Sequence, residues 1–321
     1  MKKTLLALVI ASVLPAAAFA DVTVYGKANV SLQSTDEAPL SNANGNQADG
    51  SKVELLSNAS RIGVKGGEEV NSMLKVIYQF EYQTEVDDGS GSNGQTFAQR
   101  NIYLGLQGVA GTIMGGHFDT PTKVAQEKVD LFNDLEGDIT SIFKGEIRAS
   151  NIVQYVTPTF GGGFSGSVAY VTEENNGSTG TSASFGYNSP VFYVGVAADT
   201  DVEAEGVDLI RLVGRLTLGA FQFGLLGESY ENEITGADED GVLGSAMWNI
   251  TDKWALKAQY GDSDVRWIDG ETASLGLDYK MTKNATLYGY YTMVENGQPD
   301  LVVVDNYRDD DYAGIGLDYK F

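Results

Sequence analysis

Alternation with a period of two runs through nearly the whole chain after residue 20, broken at short intervals by turn residues, and it leaves few options for the fold. Val22, Val24, Gly26, Ala28, Val30 and Leu32 alternate with Thr23, Tyr25, Lys27, Asn29, Ser31 and Gln33. Leu74, Val76, Tyr78, Phe80 and Tyr82 are set against Lys75, Gln79, Glu81 and Gln83. At the end of the chain Ala313, Ile315, Leu317, Tyr319 and Phe321 are set against Gly314, Gly316, Asp318 and Lys320. Successive side chains of a β-strand point to opposite faces, so each run predicts a strand with one apolar and one polar face. The chain is read as all-β. A sandwich would bury the apolar face, whereas a barrel in lipid would turn it outward.

The connections decide between the two. Short ones are expected at residues 66–71, 108–111, 158–163, 189–190, 218–220, 251–253 and 281–284. Longer polar ones are expected near 34–52, 86–95, 119–149, 174–180, 199–206, 232–239, 263–270 and 295–310. Seven short turns alternating with eight long loops join sixteen strands, with both termini on the short-turn side. That is the pattern of a transmembrane antiparallel β-barrel. The 39 Gly, 17 Tyr and 13 Phe against only 6 Pro fit it, and no stretch after residue 20 is apolar enough for a membrane helix. Residues 275–280 (LGLDYK) return as 315–320 (IGLDYK), which reads as one structural demand met twice, with aliphatics and tyrosine outward and Asp and Lys inward.

Residues 1–20 carry Lys2 and Lys3, an apolar run from Leu5 to Leu14 and the small-residue exit Ala18, Phe19, Ala20. This is the form of a cleaved secretory signal peptide, leaving 21–321 as the barrel. Export without a single cysteine implies no disulfide staple. Losing Lys2 and Lys3 takes the formal charge from −23 to −25, which excludes nucleic acid as a partner held through its phosphates.

One stretch breaks the alternation. Residues 117–148 hold Val124, Val129, Leu131, Phe132, Leu135, Ile139, Ile142 and Phe143 together with seven acids, Asp119, Glu127, Asp130, Asp134, Glu136, Asp138 and Glu146, against Lys123, Lys128, Lys144 and Arg148. A connection this long is uncommon unless functional or disordered. One both apolar and acidic is expected to pack on something while presenting carboxylates to something else, here as a constriction loop of about residues 117–149 folded into the barrel. His117 is the only histidine and no Gly-x-Ser-x-Gly elbow is present, so no enzyme is expected. No cofactor or metal is expected either: Asp36, Glu37, Asp49, Asp305, Asp309, Asp310 and Asp311 read as solvated outer-loop acids rather than a calcium site. Tyr288, Tyr290 and Tyr291 read as part of an aromatic girdle.

Several runs, in order, carry a resemblance. Residues 22–26 (VTVYG), 60–66 (SRIGVKG), 100–106 (RNIYLGL), 151–158 (NIVQYVTP) and 163–168 (GFSGSV), with the terminal Phe321, are similar to the trimeric general porins of Gram-negative outer membranes. The resemblance spans the whole mature chain. It implies a cell outer-membrane localisation, a homotrimer surrounded by lipid and lipopolysaccharide, Phe321 as a signal to the barrel-assembly machinery, and a water-filled channel for passive diffusion of small hydrophilic solutes and ions. A solute-selective channel, or a barrel acting mainly as adhesin or phage receptor, are the other functions open to that fold. The resemblance further implies a pore constriction in which Glu127, Asp130, Asp134, Glu136 and Asp138 face wall arginines Arg61 and Arg100, with Arg148 at the end of the loop. Arg100 shares its alternation with Ile102 and Leu104, so the pattern alone leaves its direction open. His117 and Gln154 stand where relatives tend to be basic. That loss of positive charge, added to the acidic surplus, predicts a moderate cation preference.

Overall fold

The computed structural model describes residues 22–37, 51–89, 94–172, 179–297 and 307–321. The leader expected at residues 1–20 lies outside them, as do Asp49 and Asp305. The described strands are hydrogen-bonded, neighbour to neighbour, into one antiparallel sheet. In chain order they are β1 (Thr23–Asp36), β2 (Lys52–Ser57), β3 (Arg61–Asn71), β4 (Leu74–Gln83), β5 (Ala98–Gly108), β6 (Gly111–Asp119), β7 (Arg148–Val156), β8 (Phe164–Val171) and β9 (Gly180–Asn188). The second half follows as β10 (Phe192–Thr200), β11 (Val207–Leu218), β12 (Phe221–Asn232), β13 (Ala237–Asn249), β14 (Trp254–Ser263), β15 (Ile268–Lys280), β16 (Ala285–Gly297) and β17 (Tyr307–Lys320). Between β6 and β7 lie a short helix α1 (Pro121–Ala125) and a 3₁₀ turn (Ile139–Ser141).

The sheet closes on itself. β1 pairs with β17 from Lys27 opposite Lys320 to Asp36 opposite Asp311. Gly26 and Phe321 exchange backbone hydrogen bonds of 3.0 and 3.1 Å beyond that ladder, so the terminal residue is part of the seam. β2 and β3 both pair with β1 and run in the same direction, Ser57 opposite Val30 and Arg61 opposite Lys27. They are two halves of one strand interrupted at Asn58, Ala59 and Ser60, where Ala59 turns to φ 48°. Ser60 Oγ fills the gap in the ladder, accepting from Asn29 N at 2.9 Å and donating to Asn29 O. The barrel therefore has sixteen strands, as the alternation predicts.

Leu212, Leu225, Val242, Tyr260, Leu275 and Ile315 are exposed on one face, while Arg211, Glu228, Ser245, Gln259, Ser274 and Thr292 are buried on the other. This inverts a soluble protein. With no water in hydrocarbon to satisfy the backbone, closing the ladder leaves no unpaired edge, and the apolar face meets lipid. Rings gather at the short-turn ends: Phe164 on Tyr187 (4.8 Å), Tyr187 on Phe192 (5.3 Å), Phe221 on Trp248 (5.8 Å) and Trp254 on Tyr279 (4.6 Å). These form the girdle. Tyr288 and Tyr290 do not belong to it: each is 7% exposed, with hydroxyls donating to Asn29 and Gln33 on the polar face, and only Tyr291 points outward.

Two connections expected to be long are four-residue turns, 233–236 and 264–267, because β12 to β15 continue past the apolar band. Polar pairs such as Glu231 with Asp238 extend the ladder where alternation of hydropathy has already stopped. In the same way β3 runs on to Asn71, past the turn expected from residue 66.

Candidate functional site

Residues 120–147 form a compact segment whose acids mostly serve the segment itself. Thr120 caps α1 by accepting from Lys123 N, with Pro121 in the first turn. Asp138 accepts from Thr140 N (2.9 Å), Asp134 N (2.8 Å) and Asn133 Nδ2 (3.1 Å). Asp130 accepts from Phe132 N (2.9 Å), Ile139 N (3.2 Å) and Gln259 Nε2 (3.1 Å). Burial, reinforced by the nearby Asp138 carboxylate, pushes the Asp130 carboxyl up to about 8.

The segment is joined to the polar face around most of the barrel. Thr122 Oγ1 donates to Asp199 on β10 (2.5 Å) and lies 3.2 Å from Ser182 Oγ on β9. Ser245 on β13 donates to Val129 O (2.6 Å), and Gln259 on β14 accepts from Leu131 N (2.8 Å) and donates to Gly137 O (2.9 Å). Gln33 on β1 donates to Glu136 (3.2 Å), whose carboxyl burial raises. Trp267 donates to Ser141 O at 2.9 Å, and Arg266 donates to Thr140 O.

Apolar side chains of the segment seat it on apolar positions set into the otherwise polar face of the wall. Val129, Ile139, Ile142 and Phe143 pack with Val213, Leu226 and Leu243, and Phe132 with Tyr288, Tyr290, Val294 and Tyr312. A methyl placed on Gly224, Gly241, Gly261 or Gly276 would stand 2.9, 2.7, 2.6 or 2.9 Å from Val129, Phe143, Ile142 or Phe132. These four glycines lie on the successive strands β12 to β15 and leave room for the segment; at Gly261 and Gly276 the segment is the nearest neighbour, whereas at Gly224 and Gly241 the wall serines Ser245 and Ser263 stand closer still.

Opposite this seat, the segment and the wall of β3 to β7 enclose a space of about 590 Å³ lined by Arg61, Arg100, Arg148, Lys123, Glu127, Asp134 and Asp138, among others. Its cations are already paired. Arg100 donates to Glu81 (3.2 Å) and Gln83 (2.8 Å), and Arg148 meets Asp119 at 2.9 Å. Arg61 lies 3.5 Å from Asp134, which also takes Lys27 Nζ at 2.7 Å. Burial raises Asp134, but Lys27, Arg61 and Arg100 outweigh it and hold the carboxyl below its usual range. Asp134 sits at φ 66° and Glu127 at φ 53°, left-handed conformations costing about 1–2 kcal/mol each in a residue with a Cβ. A second space of about 330 Å³, lined by Lys257, Asp278, Asp318 and Lys320 among others, shares Arg61, Asn133 and Asp134 with the first. The two meet at Asp134.

Arg100 reaches the polar face through a β-bulge. Phe80 pairs with Ile102 and Tyr82 with Gln99, so Arg100 and Asn101 together oppose Glu81. Asn101 then bonds both Asp119 (2.8 Å) and Arg148 (3.1 Å).

Of the expected site residues, Arg61, Arg100, Arg148, Glu127, Asp134 and Asp138 line the first space. The others do not. His117 pairs opposite Ile102, which pairs opposite the exposed Phe80, so period-two geometry puts its ring on the outer face, 2.9 Å from Ser150 Oγ. Gln154 is 5% exposed on the polar face, opposite Met114 and Ala169. It lies six residues along β7 from Arg148, roughly 20 Å at the strand rise. Asp130 and Glu136 are spent on the segment's own fold and on Gln33. Lys27, Glu81 and Asn101 were not expected at the site, and Asp119 only as one of the loop acids; Lys27 and Glu81 carried a signal as polar alternates of β1 and β4, whereas Asn101 faces the site only through the bulge.

Known proteins agree with this architecture. Residues 4–299 match the family model described as Gram-negative porin. The major outer membrane protein P.IB of Neisseria gonorrhoeae is 34% identical over 59% of this chain and 53% of its own, so the chain matches about half the length of that relative. The anion-selective porin from Comamonas acidovorans superposes with a TM-score of 0.77 at 20% identity, covering 94% of this chain and 100% of that one. The trimer form of OmpT from Vibrio cholerae does so with a TM-score of 0.68 at 17% identity, covering 94% and 99%.

Proposed function

The chain belongs to the Gram-negative porin family and is an outer-membrane β-barrel, and we propose that it forms a channel for passive diffusion whose bore residues 120–147 narrow from within. One observation carries this: Asp134, from a segment seated on β12 to β15, reaches Lys27 on β1 and Arg61 on β3. A segment bonded to the polar face at such widely separated strands of a closed ring spans its interior. Solutes then pass through the two spaces that meet at Asp134. Arg61, Arg100, Arg148, Lys123, Glu127 and Asp138 are the constriction we assign, and lipid, lipopolysaccharide and two further copies of the chain are its neighbours in the membrane. Deleting residues between Lys123 and Lys144 should raise single-channel conductance and solute cut-off while the barrel still forms, because that segment takes no part in the ladder. Unchanged conductance in the deletion would refute the constriction.

Selectivity follows from the lining. Across the two spaces eight carboxylates (Glu81, Asp119, Glu127, Asp134, Asp138, Glu146, Asp278 and Asp318) face seven cations (Lys27, Arg61, Arg100, Lys123, Arg148, Lys257 and Lys320), so fixed charge favours cations only slightly. Because this passage is wet, salt screens the excess beyond about 10 Å at 0.1 M. A moderate cation preference that weakens with salt is expected from reversal potentials under a salt gradient. Anion preference would overturn it.

A further inference from the structure

Arg211, in the middle of β11, is fully buried on the polar face. All five of its N–H donors are used. Nε and Nη2 donate to Glu228 Oε2 on β12 at 2.8 and 2.6 Å. Nη1 donates to Glu146 Oε1 at 2.6 Å and to Thr122 O at 3.3 Å, and Nη2 donates to Lys144 O at 2.6 Å. Glu228 Oε1 in turn accepts from Lys144 N at 3.1 Å. The two feet of the segment, at Thr122 and at Lys144 to Glu146, thus meet on one guanidinium. Asp199, taking Thr122 Oγ1, and Lys123, 3.9 Å from Glu146, are further charged groups against this knot.

A buried ion pair adds little over well-packed apolar groups, and a buried arginine with every donor filled offers nothing to a passing solute. What the arrangement does supply is direction, since a planar fork fixes several acceptors at once. Resting on the reading that residues 120–147 narrow the channel, we propose that Arg211 is the positioning residue that pegs both feet of the segment to β11 and β12 and so fixes the width of the passage. A lysine there carries the same charge but three donors for the same four acceptor groups.

The test is single-channel recording of Arg211→Lys, folding being checked by heat-modifiable mobility. Losing charged hydrogen bonds should make excursions to a larger conductance about a hundredfold more frequent, equivalent to about 2.8 kcal/mol at 1.4 per tenfold. If that variant does not assemble, Glu146→Gln, which leaves the Arg211–Glu228 pair on the wall, gives the same reading. The chain has no cysteine, so Thr122→Cys with Ser182→Cys, replacing oxygens 3.2 Å apart, offers a disulfide that ties the foot down independently. Oxidation should return the Arg211→Lys channel to the parent's steady conductance, and reduction should release it. Parent-like currents in Arg211→Lys, or excursions that persist under the disulfide, would overturn the assignment. If the segment deletion widens the channel while Arg211→Lys is silent, the peg alone fails. If both are silent, the constriction itself fails.

Discussion

Gly261→Ala combined with Ile142→Val tests whether the room left at Gly261 seats the segment. A methyl on Gly261 stands 2.6 Å from Ile142 Cδ1, with Leu243 Cδ1 and Thr272 Cγ2 at 3.4 Å. Non-bonded carbons rest at about 3.5–4.0 Å, so Ile142 must give way by roughly 1 Å. It is fully buried among Val129, Ile139, Phe143 and Leu243, and overpacking of this kind costs about 1–3 kcal/mol. Ile142→Val alone deletes Cδ1 and leaves a small void, costing about 0.5–1.5 kcal/mol. Together the two changes exchange one methyl for another in the same place. The double variant should therefore be more stable than the sum of the singles by about 1–2 kcal/mol, beyond the roughly 0.3–0.5 kcal/mol scatter of independent sites. Trp267 is the reporter, because its indole N–H is bonded to Ser141 O, one residue before Ile142. With Trp248→Phe and Trp254→Phe it becomes the sole tryptophan. Denaturant titration of its emission then reads the seating, and circular dichroism reads the barrel. Strict additivity would refute the idea that Gly261 leaves room for the segment.

Seating should also depend on pH with two opposite limbs. Asp134 is depressed in the folded chain, so its contribution is present above the ordinary carboxylate value and lost as pH falls through the folded one. Asp130 is raised to about 8, so its contribution is full below the ordinary value and lost as pH rises through about 8. Channel noise should be least in mildly acidic solution; Asp134→Asn should flatten the acid limb and Asp130→Asn the alkaline one, and a pH-independent parent would contradict both. Arg100→Gln removes the cation beside Glu81 and should raise the local cation concentration about twofold, a unit charge about 10 Å away in water being worth about 0.4 kcal/mol; the reversal potential checks it. Gln154→Arg should lower thermal stability by about 3–5 kcal/mol, as an unpaired buried charge does, and leave the reversal potential unmoved, because position 154 is buried away from the arginine-lined space.

Strand positions were legible because lipid imposes a period of two that nothing else in the chain imitates. Where water lies on both faces the code lapses, and β12 to β15 ran on unseen into turns 233–236 and 264–267. Arg61 was legible as a polar alternate. Arg100 was not, since its direction depends on one extra residue opposite Glu81, and a bulge leaves no mark in hydropathy. Tyr288 and Tyr290 misled for a related reason: a tyrosine serves a lipid interface or a buried hydrogen bond equally well, and only the partners Asn29 and Gln33 distinguish them. Arg211 did leave a signal, a lone cation amid Leu209, Ile210, Leu212 and Val213. Its partners lie 65 residues back at Glu146 and 17 ahead at Glu228, which no local pattern connects.

The interruption at Ala59 bears on what the lineage of such a barrel can do. β1 and β17 meet antiparallel, and in a ring of alternating directions that requires an even number of members. Were β2 and β3 separate members, the count would be odd and the two ends would have to meet in parallel. A break inside a strand is therefore permitted where an added strand is not. Length can be inserted or cut within a member at the cost of a patch such as Ser60, but members can be gained or lost only as hairpins, two at a time, and the circumference of the ring grows in steps of that size.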